Sequence, residues 1–315
     1  MDPMTGPIGG SLADRPIAVT IVGGYLGAGK TTLVNRLLAA GEPGLAVMVN
    51  DFGEINVDAA LIESHDGRTI TLTNGCICCS MVDGFASALA DLVLFEPRPA
   101  RLVIEASGVA DPASIAAYCH RRGIVLDLVL VVAAADSLPD NLSDRYVGET
   151  VARQLRSADV VALNKVDLVD ANGLAEATAL IRSSSQAAIV EVCDGAVSRD
   201  VVFGSTRSTR HESASEREAS SSDLAQFESW SFATDSPLDE HRFRRFVEQL
   251  PRSIVRAKGL VRFESDRPRL VFQRVGARWS LEESSGDTRG SDGTEIVLVG
   301  LPGAITDEQI AAALL

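Results

Sequence analysis

The hydrophobic positions fall into two kinds of segment over the first two-thirds of the chain. Short continuous apolar runs stand at Ile17–Val22, Leu45–Val49, Arg101–Ile104, Leu128–Val132, Val160–Leu163 and Ile189–Val192. Runs of this length, rich in β-branched residues and without polar alternation, are expected of strands buried on both faces. Between most of them, apolar residues recur at helical spacing. In Thr31–Ala40, Leu33, Leu37 and Leu38 share one face and Gly41 follows as a stop. Val82–Leu94, Ser114–Arg121, Tyr146–Arg156 and Leu174–Arg182 follow the same period. Strands alternating with helices predict an α/β fold, a parallel sheet with helices on both faces.

The pattern breaks after Val202. Gly204–Asp223 is serine, threonine and mixed charge with no large apolar residue. Such a segment cannot bury enough surface to offset its ordering entropy, so a flexible linker is expected. Beyond it, Phe227–Phe232 alternates as a strand, and Leu238–Leu250 reads as a helix after Pro237. Strands follow near Ile254–Phe263, Arg269–Val275, Arg278–Leu281 and Glu295–Val299, then a closing helix at Asp307–Leu315. This half predicts a smaller α+β domain with mostly antiparallel strands. The expected organisation is a disordered N-terminus over 1–15, the α/β domain over 16–203, the linker over 204–223 and the C-terminal domain over 224–315.

At 315 residues and 46% hydrophobic composition, the chain can build two cores. With 29 basic and 43 acidic side chains the formal charge is −14, which argues against non-specific binding to nucleic acid or anionic membrane. Residues 1–15 lack a signal-peptide pattern, and the longest apolar run falls far short of the ~20 residues a membrane helix needs. A cytoplasmic protein is expected. Five cysteines, three of them crowded together, do not resemble a secreted disulfide framework.

Gly24-Tyr25-Leu26-Gly27-Ala28-Gly29-Lys30-Thr31 follows the first strand and opens the first helix, fitting the phosphate-loop pattern G-x-x-x-x-G-K-[ST]. Glycines at 24, 27 and 29 let backbone N–H groups converge on phosphate oxygens at a helix N-terminus, and Ala28 and Thr32 belong to the same cradle. Lys30 is expected to reach the β- and γ-phosphates and Thr31 to ligate Mg²⁺. Glu105, at the C-terminal end of a strand, is the candidate Mg²⁺ or water-orienting carboxylate, with Gly108 close behind. Asp51 is a second candidate acid near the metal. Asn164-Lys165-Val166-Asp167 follows the strand Val160–Leu163. There Asp167 can accept from guanine N1–H and its amine, Asn164 can meet the base edge, and the Lys165 stem can lie along its face. Adenine would leave that carboxylate unpaired, so GTP is favoured over ATP.

Cys76-Ile77-Cys78-Cys79 lies within the same domain. Residues two apart in extended chain project to one side, so Cys76 and Cys78 can grip one ion, and Cys79 joins if the chain turns. Three thiolates suit Zn²⁺, Cu(I) or Co²⁺. An incomplete ligand set suits transfer better than structure, and Glu54 and His65 are candidate fourth ligands. Two alternatives stand beside this one: a redox Cys76-x-x-Cys79 pair and buried structural cysteines. Cys119, Cys193, His120 and His241 read as packing or surface residues.

Together these residues resemble the CobW-like P-loop GTPases, relatives of the urease and hydrogenase nickel-insertion GTPases. The matching stretches are Gly23–Thr32, Asn50–Glu54, Asn74–Cys79, Glu105–Pro112, Asn164–Asp167 and, in the second domain, Arg256-Ala257-Lys258-Gly259. The resemblance implies GTP hydrolysis of the EC 3.6.5 type, coupled to binding of zinc or cobalt by the three cysteines. Delivery of that metal to a client metalloprotein follows from it, and the second domain serves the client or self-association. Many relatives carry a histidine-rich linker, whereas residues 204–223 hold only His211. The alternative is a regulatory P-loop GTPase whose cysteines are structural or redox-active and transfer no metal.

Overall fold

A computed structural model describes residues 16–49, 69–71, 85, 89–94, 97–204, 227–264, 268–283 and 293–315. Asp51, Glu54, His65, Cys76, Cys78 and Cys79 lie outside the described residues, as do 1–15 and all of the expected linker but Gly204.

Seven strands form the first sheet: β1 (Ile17–Gly23), β2 (Leu45–Val49), β3 (Thr69–Thr71), β4 (Arg101–Glu105), β5 (Ile124–Ala134), β6 (Val160–Asn164) and β7 (Ala188–Glu191). Their order is β3-β2-β4-β1-β5-β6-β7, and every neighbouring pair is parallel. Alternate side chains feed two cores. Ile17, Val19, Ile21, Leu102, Ile104, Val129 and Val131 enter one; Val22, Val103, Leu128, Leu130 and Val132 enter the other. Burial on both faces is what made these segments continuous apolar runs.

Helices α1 (Lys30–Ala39), α2 (Pro112–Ala116), α3 (Leu138–Ser143), α4 (Gly148–Ser157), α5 (Ala171–Ser184) and α6 (Arg199–Phe203) accompany this sheet. The helix expected over Ser114–Arg121 begins earlier, because Asp111 caps it through Ala113 N–H and Pro112 occupies its first turn. It tightens to a 3₁₀ turn at Ala117–Cys119. The strand expected at Leu128–Val132 extends to eleven residues, since Asp127 within it finds partners described below. The short helices α3 and α6 had no apolar period long enough to predict them. Of the helix expected over Val82–Leu94, residues 85 and 89–94 are described, and Phe85, Leu89 and Leu92 are buried.

The second sheet comprises β8 (Glu228–Thr234), β9 (Ile254–Val261), β10 (Leu270–Val275), β11 (Arg278–Glu283) and β12 (Thr294–Gly300). Its order is β11-β10-β9-β12-β8, wholly antiparallel. Helices α7 (Glu240–Gln249) and α8 (Asp307–Leu314) complete the domain. Phe243, Phe246, Ile310 and Leu314 join Phe272, Ile296 and Leu298 in a third core. Asp239 caps α7 and Thr306 forms a capping box on α8.

The two sheets meet through β9 and β10. Val255 and Val275 belong to the core that contains Leu128 and Leu130. Arg256, fully buried, pairs with Asp127 of β5 and donates to the carbonyls of Val201 and Val202 at 3.2 and 3.0 Å. Lys258 Nζ lies 3.5 Å from the other Asp127 oxygen. Arg278 grips Asp159 at 2.7 and 3.1 Å, and a Cβ at Gly276 would stand 2.2 Å from the Asp159 carbonyl. Burial works to raise the Asp127 carboxyl, yet Arg256, Lys258 and Arg101 hold it below the ordinary aspartate value. No helix among the described residues is long and apolar enough to cross a membrane.

Candidate nucleotide site

In the strand order, β1 stands between β4 and β5, where the chain switches from building one side of the sheet to building the other. The crevice beyond the C-terminal ends of strands at such a point is where open α/β sheets bind ligands. The phosphate loop leaves β1 here. Gly24 has φ +131°, and a Cβ there would sit 2.1 Å from the Val132 carbonyl oxygen of β5. Gly29 has φ +103°, and a Cβ would meet Asn164 Nδ2 at 2.4 Å. Both glycines are therefore required by backbone conformation and by space.

Helix α1 starts at Lys30 with Gly29 as its N-cap, so no side chain caps its first N–H groups and no acid lies in its first turn. That terminus is electrostatically suited to an anion. Lys30 is buried and its Nζ donates to the Tyr25 carbonyl at 3.1 Å, arching back over the loop. Ala28 is buried and Thr32 exposed.

Thr31 Oγ1 donates to Glu105 Oε1 at 2.6 Å. The parallel register that pairs Val22 with Glu105 brings the end of β4 beside the loop, and Glu105 is only 2% exposed. A hydroxyl and a carboxylate in contact beneath a phosphate loop are hard oxygen donors, the kind Mg²⁺ selects. The residues thus fit Mg²⁺ together with a nucleotide. After Glu105, Gly108 packs so closely on the phosphate loop that a Cβ would stand 2.4 Å from the Leu26 side chain.

Asn164 ends β6 and is 2% exposed. Its Nδ2 donates to the Ala28 carbonyl at 2.9 Å, and its Oδ1 accepts from Gly195 N–H at 2.9 Å. The described contacts of this side chain thus tie the phosphate loop to the loops after β6 and β7. Lys165 takes φ +61°, and its Nζ lies 3.6 Å from Asp136 Oδ2. Asp167 is exposed in the 3₁₀ turn Val166–Leu168.

The loop after β7 was not expected to contribute. Cys193, expected as core packing, is half-buried there, and burial together with its hydrogen bond to Asp167 raises its thiol pKa. Asp194 pairs with Arg36 of α1, whose Nε also donates to the Asp194 carbonyl at 2.7 Å. The Asp194-Gly195 dipeptide was the available turn signal. Cys119, by contrast, is buried and its thiol is pushed up to about 11, an inert state. Among the described residues, no group of three or more His, Cys, Asp or Glu is placed to hold a metal.

Residues 18–191 match the family described as CobW/HypB/UreG, nucleotide-binding domain, and residues 227–315 match the cobalamin synthesis protein CobW C-terminal domain. The zinc chaperone CobW of a Sinorhizobium species is 29% identical over 90% of this chain and 93% of its own. The zinc chaperone YjiA of Escherichia coli is 30% identical over 95% of this chain and 98% of its own. The zinc-regulated GTPase metalloprotein activator 1 of Schizosaccharomyces pombe is 30% identical over 50% of this chain and 41% of its own.

Proposed function

Since the chain belongs to the CobW/HypB/UreG family of nucleotide-binding proteins, we propose that it hydrolyses GTP and uses the nucleotide state to control a transition metal. That metal, zinc or cobalt, is cargo, held by Cys76, Cys78 and Cys79 with Glu54 as a further ligand and passed to a client metalloprotein. The 2.6 Å contact of Thr31 with Glu105 beneath the phosphate loop carries the GTPase part of this reading. The GTPase unit is residues 16–203 and the client-facing or self-associating unit is 224–315, joined by 204–223, in the cytoplasm.

In this reading Lys30 neutralises the β- and γ-phosphates, and the glycine-rich backbone holds them in line for attack. Thr31 and Glu105 hold Mg²⁺, which when bound offsets the negative charge developing on the phosphates. Glu105 and Asp51 orient the attacking water, and Asp167 selects guanine. Asn164 keeps the phosphate and base loops in register. Intrinsic turnover is slow, because no arginine finger is supplied by these motifs. Loss of the γ-phosphate releases segments that flank it, and residues 50–79 lie between the phosphate loop and β4 in the chain.

Equilibrium dialysis with Zn²⁺ and Co²⁺ tests the coupling. Affinity is expected to be highest with a non-hydrolysable GTP analogue, lower with GDP, and abolished by a triple Cys→Ser substitution. Equal affinity in all nucleotide states would sink metal delivery and leave a regulatory GTPase.

A further inference from the structure

Gln154 of α4 is 1% exposed, yet it is polar and far from the phosphate loop in sequence. Its Nε2 donates to the Gly108 carbonyl at 3.1 Å and to the Ala110 carbonyl at 2.9 Å. Both N–H groups therefore go to one short loop, the one that follows Glu105. The rest of that loop is anchored at its ends and by local turns, in which Val109 N–H also donates to Ser107 Oγ at 3.5 Å. Ala106 N–H donates to the Val22 carbonyl at 2.9 Å, and Asp111 caps α2. Between those anchors Ala110 N–H closes a turn on the Ser107 carbonyl, and Gly108 rests on Leu26 of the phosphate loop. Val109 at the tip is exposed.

The other end of the amide tells against a purely structural role. Among the described residues, Gln154 Oε1 is buried with no hydrogen-bond partner. A buried acceptor without a donor opposes folding, and a methionine of similar length would fill the same space without that cost. The residue is accounted for by what its two donors hold. We propose that Gln154 is a positioning residue for the γ-phosphate-dependent step: by clamping the Gly108 and Ala110 carbonyls it aims the Gly108 backbone at the terminal phosphate. This rests on the GTPase reading and deepens it. The GDP complex, lacking that phosphate, does not need the clamp.

The test uses the full chain and Gln154→Met, which keeps length and apolar packing but removes both donors. GDP affinity is expected to stay close to wild type, while the thermal midpoint falls modestly, because the Gly108 and Ala110 carbonyls lose their donor. The kcat is expected to fall by about tenfold or more once the positioning contact is lost, with affinity for a non-hydrolysable GTP analogue and KM for GTP both changing by a smaller factor. Gln154→Leu, also apolar and without donors, should show the same split. If wild type turns over GTP and Gln154→Met keeps kcat and GTP-over-GDP preference within about twofold, the clamp is overturned alone. Parallel loss of GDP and GTP-analogue affinity overturns it too, by assigning a general structural role. A wild-type chain that neither binds nor hydrolyses GTP removes the GTPase reading and this role together.

Discussion

Asn164 Nδ2 donates to the Ala28 carbonyl at 2.9 Å, which makes the phosphate loop and the loop after β6 one hydrogen-bonded unit. The same side chain also holds Gly195, so three loops at the C-terminal edge of the sheet share one buried amide. Asn164→Ala would leave the Ala28 carbonyl and the Gly195 N–H buried and unpaired, a loss of about 1–3 kcal/mol in stability. GTP and GDP affinity should fall together, since both need the joined loops; fluorescent-nucleotide titration and thermal denaturation measure the two effects.

Glu105→Gln keeps an oxygen that can accept from Thr31 but removes the charge beside it. The fold should survive, with the thermal midpoint close to wild type. Turnover should drop on the order of 100-fold, within the range for losing a group that orients or deprotonates a nucleophile. Mg²⁺ dependence should shift to higher concentration, measured by phosphate release over a Mg²⁺ series. Unchanged turnover would remove Glu105 from the reaction.

Arg256 and Asp127 form a buried ion pair across the two sheets. Removing one partner strands a charge, so Asp127→Ala should cost about 3–5 kcal/mol, whereas Asp127→Leu with Arg256→Met should recover much of that loss. Recovery stays incomplete, because Arg256 also serves the Val201 and Val202 carbonyls. The Asp127 carboxyl is held below its ordinary value, so its contribution is present above the unfolded aspartate pKa and lost as pH falls through the folded one. Urea melts of wild type and the double variant should therefore converge in strong acid.

Lys258 provides the opposite dependence. Burial, and then the neighbouring Arg256, lower its pKa from 10.5 to about 8. Between those values the unfolded chain binds the proton and the folded chain does not, so stability gains as pH rises through this window. Relative to Lys258→Met, wild type should gain stability from pH 8 toward 10.5, read from paired thermal melts. A constant difference across that range would refute the assignment.

The strands β1, β2, β4 and β6, the helix α1 and the phosphate loop were legible because each is written in a local signal. Apolar runs, a helical period and three spaced glycines all act within a few residues. The C-terminal domain was legible for the same reason, through the alternating run at Phe227–Phe232 and the helical segment after Pro237; the caps at Asp239 and Thr306 emerged from the structure. The short α3 and α6 were missed because five or six residues hold too little of a period. Gln154, within a segment rightly expected to be helical, looked like any polar residue on a helix.

By itself the chain determined most of the segments that become strands or helices, and offered candidate residues for phosphate, guanine and a soft metal. Only the tertiary structure decided that Thr31 meets Glu105, 74 residues away, that Asn164 meets Ala28, 136 away, and that Arg256 meets Asp127, 129 away. Local periodicity sets the direction of a side chain from its own element. Which distant group it finds is set by strand order and register, and these follow from how whole faces bury one another.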